Sequence, residues 1–126
     1  MSNNSIQSKS NEYSNVLKDT REASGLNNEH YINKTIFTKE KEKLFFNEWS
    51  AICFSSEIKE TGYVKPIKFL GLPLIVLKDA NRKIRVFQNT CRHRGMILFD
   101  KPKQLSSDLM ICPYHSWSYS LNGELL

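Results

Sequence analysis

The chain has 126 residues, 40% of them hydrophobic and 25% charged, and a formal net charge of +5. That is room for one domain. No stretch approaches the roughly 20 apolar residues needed to span a bilayer, and no dense Lys/Arg block interleaved with aromatics marks a nucleic-acid surface.

The first ten residues are polar and lack the apolar core of a secretory signal, so a cytoplasmic protein without membrane association is expected. Residues 1–34 are rich in Ser, Asn and charge, with sparse apolar side chains. They are expected to be disordered or to dock late, because they bury too little to offset the entropy of ordering. An N-terminal helix is expected within 35–50, with Thr38 capping a run from Lys39 to about Trp49 that sets Phe45 and Trp49 on one face. Phe45 and Trp49 read as packing residues and His30 as a surface histidine.

From Ala51 onward the texture is that of strands, and 51–126 reads as one mainly β domain. Ala51–Phe54, Tyr63–Leu70 (interrupted at Pro66), Leu72–Leu77, Ile84–Gln88, Leu109–Ile111 and Ser116–Ser120 are the expected strands. Residues 79–83 read as a hairpin loop, and Asn122-Gly123 as a tight turn, since both residues tolerate positive φ. Short strands with frequent turn signals predict a small antiparallel β-barrel or sandwich. Only Glu124, Leu125 and Leu126 follow the last turn, so the expectation is a sheet truncated at its C-terminal end.

Two segments carry the chemistry: Cys91-Arg92-His93-Arg94-Gly95 and Cys112-Pro113-Tyr114-His115-Ser116-Trp117, with 18 residues between His93 and Cys112. Each holds one thiol and one imidazole in a loop after a strand. Three cysteines in a cytoplasmic chain argue for metal or reactive thiols rather than a disulfide framework. Thiolates select iron–sulfur clusters or zinc. A structural zinc module is the alternative, although zinc knuckles usually space two cysteines by two to four residues.

The pair Cys-x-His and Cys-x-x-His, with Gly95 after the first and Trp117 two past the second histidine, resembles the Rieske family. The resemblance covers roughly the last two-thirds of the chain and implies a Rieske-type β domain binding a [2Fe-2S] cluster. In it, Cys91 and Cys112 would hold one iron and His93 and His115 the other, which raises the potential above that of an all-cysteine cluster. The wording around the ligands is similar to the α subunit of ring-hydroxylating oxygenases. Respiratory members tie the loops with a disulfide, whose positions are Met96 and Tyr114 here, so a potential near the low end, about −150 mV, is implied.

In such oxygenases the cluster feeds a mononuclear Fe(II) held by two histidines and a carboxylate in a C-terminal domain. Beyond His93 and His115 this chain has only His30, so that iron is expected in a missing domain and the chain alone does not oxygenate. The resemblance implies an electron-donating ferredoxin or flavin reductase as partner, and a homotrimer for the full-length protein. A free-standing Rieske ferredoxin is the competing reading.

Around the ligands, Arg92 and Arg94 read as partner contacts or as solvated arginines. Gly95 reads as a turn needing positive φ or close approach, and Pro113 as a restraint on Cys112. Trp117 and Tyr119 read as core or edge packing residues, with contact to the ligand loops as the alternative. Cys53 reads as a buried inert thiol.

Overall fold

The computed structural model describes residues 13–126, and these divide into two compact units with the boundary between Ser50 and Ala51. The expectation for residues 1–12 lies outside the described residues.

In the first unit, turns over 13–22 precede helix α1, Glu29–Ile32, and helix α2, Lys34–Glu40. Asn33 joins them. Its N–H closes α1 on the Glu29 carbonyl, and its Oδ1 accepts the N–H groups of Thr35 and Ile36 at 2.8 and 3.4 Å. The helix therefore starts four residues before the expected Thr38 cap. Thr38 sits inside it, its hydroxyl turned back to the Lys34 carbonyl at 2.9 Å. After α2 the chain widens into a π-turn, Lys41–Phe45, and Trp49 lies beyond the helical stretch. His30 is half-buried and meets the Tyr13 ring edge-on at 5.3 Å, so it is not a plain surface histidine.

The second unit is mainly β. Strands β1 (Tyr63–Phe69), β2 (Leu72–Lys78), β3 (Ile84–Gln88) and β4 (Lys103–Gln104) form an antiparallel sheet in the order β3-β2-β1-β4. Strands β5 (Leu109–Ile111) and β6 (Ser118–Ser120) form a second, two-stranded sheet. Both sheets are open, so the sandwich form of the expectation holds rather than a closed barrel.

Strand β2 is central and buries Ile75, Val76 and Leu77 in succession, as a strand covered on both faces does. β3, at the edge, alternates half-buried and exposed residues. Pro66 does not interrupt β1: β4 pairs only with Tyr63 and Val64, so Pro66 lies where β1 has β2 alone beside it. Ala51–Phe54 is irregular rather than a strand. It leads into a single 3₁₀ turn, Ser55–Glu57, where Glu57 Oε1 accepts the Phe54 N–H at 2.9 Å. Cys53 in this stretch is half-buried, not buried.

The β2–β3 turn is built on Asp79, which is fully buried. One carboxylate oxygen accepts the N–H groups of Asn81 and Lys83 at 2.9 Å each, and the other accepts Arg85 Nε at 2.8 Å. Beyond β6, Asn122-Gly123 makes the expected turn, and the return pairs at once: Tyr119 bridges Leu125, and the Leu126 N–H reaches the Ser118 carbonyl at 2.9 Å. Gly123 has φ +87, and a Cβ there would stand 2.6 Å from the Phe87 ring.

Candidate metal centre

The two ligand-bearing loops rise from separate elements and share one backbone plan. In the first, the Cys91 N–H donates to the Met96 carbonyl at 2.7 Å and the Gly95 N–H to the Cys91 carbonyl at 2.9 Å. In the second, the Cys112 N–H donates to the Trp117 carbonyl at 2.8 Å and the Ser116 N–H to the Cys112 carbonyl at 3.0 Å. Each loop turns back through a left-handed residue four past its cysteine, Gly95 at φ +70 and Ser116 at φ +57. Nothing lies within 4 Å of a Cβ built on Gly95, so it is backbone conformation, not close approach, that calls for glycine there.

The loop bases are pinned. Buried Asn89 donates to the Phe99 carbonyl at 2.6 Å and accepts the Phe99 N–H at 3.0 Å, and Thr90 bridges Ile97. The second loop closes on the Ile111–Ser118 pair of β5 and β6.

This scaffold brings the four expected residues together as two pairs. Cys91 and Cys112 are both buried in the same hydrophobic core cluster, and the Cys112 thiol is near enough to help lower the pKa of Cys91. His93 and His115 are exposed at the tips, their ring centroids 4.8 Å apart and their planes at 70°. Trp117 lies flat on His93, at 4.8 Å and 7°, and Tyr114 lies tilted against His115 at 3.8 Å. Arg92 and Arg94 are exposed beside the imidazoles and make no ion pair among the described residues.

Trp117 and Tyr119 do more than pack. Tyr119 is buried, its hydroxyl 3.2 Å from Cys91 Sγ while accepting the Arg92 N–H at 3.0 Å. Burial alone would push the Cys91 thiol up. The Tyr119 hydroxyl, the backbone N–H groups of His93 and Arg94 and the Cys112 thiol outweigh it and hold Cys91 below the usual thiol value. Burial, and then the bond to Cys91, raise Tyr119 above the usual phenol value. The signal for Tyr119 was its spacing: it follows the second loop by one strand step and faces the same interior as Cys112.

The donor set fits a binuclear iron–sulfur cluster. Two soft thiols, one biased toward thiolate, meet at a buried end, and two imidazoles stand together at an exposed end. Among the described residues, no three His, Cys, Asp or Glu side chains are grouped as one metal ion would require. The arrangement is two and two.

Comparison with known proteins agrees. Residues 48–126 match the model of the Rieske [2Fe-2S] domain. The chain is 38% identical over 101 residues to the 2-aminobenzenesulfonate 2,3-dioxygenase subunit alpha of an Alcaligenes species, an alignment covering 79% of this chain and 25% of that protein. It is 34% identical over 96 residues to the glycine betaine monooxygenase oxygenase subunit of Chromohalobacter salexigens, covering 76% and 21%. Among solved structures, naphthalene 1,2-dioxygenase from a Rhodococcus species superimposes with a TM-score of 0.64 at 33% identity, over 72% of this chain and 20% of that one. The chain thus spans a quarter or less of the length of these relatives. The chain belongs to the Rieske [2Fe-2S] domain family and is homologous to the α subunits of Rieske oxygenases.

Proposed function

We propose that this chain relays single electrons as the N-terminal part of a ring-hydroxylating or related Rieske oxygenase. Cys91 and Cys112 hold one iron of the cluster and His93 and His115 the other. The observation that carries the reading is the pairing of two buried thiols with two exposed imidazoles on loops of one backbone plan. When bound, the cluster supplies a one-electron couple.

The chain's own residues do the rest. The thiol end is kept dry by the core around Leu98, Met110 and Tyr119. Tyr119 and the N–H groups of His93 and Arg94 direct donors at Cys91 and so favour added negative charge there. The imidazole end is left open for electron exchange. Arg92 and Arg94 beside it suit an acidic electron donor, a ferredoxin or a flavin reductase, steered by charge. The acceptor is a mononuclear iron in another domain, reached within the chain or in a neighbouring subunit of a homotrimer. A cytoplasmic setting, where thiols stay reduced, suits two free buried cysteines.

The test is direct. Purified chain should contain iron and acid-labile sulfide in equal amounts and give a Rieske EPR signal on reduction, and His93→Ala should abolish that signal. Zinc without sulfide, or an unchanged signal after His93→Ala, would refute the assignment.

A further inference from the structure

Histidines that ligate iron are ordinarily oriented by a hydrogen bond from the second ring nitrogen to a carboxylate or carbonyl. Among the described residues neither His93 nor His115 makes one through its ring. Within this chain each imidazole instead meets an aromatic ring. His93 lies face to face with Trp117, centroids 4.8 Å apart and planes at 7°, within the range where aromatic pairs attract. His93 belongs to the first loop and Trp117 to the second. Their stack joins the loops at the exposed end, as the Tyr119 hydroxyl joins them at the buried end through Cys91 and Arg92. Trp117 is half-buried and rests against the core cluster that contains both cysteines, whereas His93 is exposed.

We infer that Trp117 is a positioning residue: its indole ties the plane of the His93 ring to the core and keeps the two loop tips in register. This rests on His93 being an iron ligand, as proposed above. Tyr114 is a natural control. It touches His115 at 3.8 Å, but from within the same loop and 57% exposed, so it joins nothing to the core.

Pulsed EPR of the reduced, cluster-loaded chain reads the nitrogen couplings of the two imidazoles. Trp117→Leu and Trp117→Met keep apolar bulk without a flat face. At the parent's iron and sulfide content, each should shift or broaden one of the two nitrogen couplings, Trp117→Phe should restore it, and Tyr114→Leu should leave it as in the parent. Parent-like couplings in the fully loaded Leu or Met chain overturn the inference. So does an equal change in Tyr114→Leu, since any aromatic loss at the surface would then suffice. Should neither the Leu nor the Met chain load, the parent decides. With ring-deuterated tryptophan in a Trp49→Phe background, deuterium modulation in the reduced spectrum supports the stack and its absence overturns it. A parent without a Rieske signal sinks the electron-relay reading itself; a parent with the signal but insensitive variants sinks only the role of Trp117.

Discussion

Tyr119→Phe should lower the reduction potential of the loaded chain while leaving it folded. The hydroxyl lies 3.2 Å from Cys91 Sγ and accepts the Arg92 N–H at 3.0 Å, so its own proton is free for the sulfur, and a ligating thiolate can only accept. Gaining an electron makes that sulfur a better acceptor, so the bond favours the reduced form. A hydrogen bond of this kind is worth about 0.5–1.5 kcal/mol net. With 59 mV per tenfold for one electron, losing it should lower the potential by roughly 20–65 mV. The phenyl ring of the variant still fills its place in the core, and the Arg92 N–H loses its acceptor at a stability cost of about 1 kcal/mol. An EPR-monitored redox titration of parent and variant reads the shift. A rise, or an unchanged potential at full iron content, would refute the reasoning.

Gly95→Ala should cost about 1 kcal/mol in chemical denaturation, from the left-handed backbone alone. Gly123→Ala should cost more, because its Cβ also meets the Phe87 ring at 2.6 Å. For Asp79, burial raises the pKa, but the N–H groups of Lys83 and Asn81 and the Arg85 guanidinium bring it below the usual carboxylate value. The depressed folded pKa means that its stabilisation is complete above the unfolded value of about 3.9 and is lost as the pH falls through the folded value. Asp79→Asn should therefore melt lower at neutral pH, by on the order of 10 °C, and show a flatter decline below about pH 4 in thermal scans. Arg92→Glu with Arg94→Glu should slow reduction by an acidic donor about tenfold at low salt and weaken the salt dependence in stopped-flow traces, with the cluster spectrum unchanged.

What could be read from the sequence follows from where the information lies. The thiol and imidazole pairs were legible because metal chemistry restricts residue type and spacing together. Ile84–Gln88 and Leu109–Ile111 were legible because β-branched and apolar runs bounded by turns leave few alternatives. β4 was not, because Lys103 and Gln104 are exposed and owe their strand to the edge of β1 rather than to any pattern of their own. Ala51–Phe54 has strand composition but no partner edge, and composition alone does not supply one. The helix start was displaced because Asn33 and Thr38 are both competent caps. Which one serves depends on the chain direction that α1 imposes. Asp79-Ala80-Asn81 showed a turn but not that its carboxylate is buried, and Tyr119 showed an aromatic but not its hydroxyl on Cys91. Such roles belong to packing between segments far apart in the chain.

The burial gradient along the metal centre has a consequence for turnover. If the four side chains hold the cluster as proposed, the thiol end lies in the interior and both imidazoles on one outer edge, and an electron would both arrive and leave at that edge. Giver and taker then share one doorway and must take turns at it. A donor that lingers there after delivery becomes a competitive inhibitor of the next transfer, so weak, short-lived docking serves this domain better than tight binding.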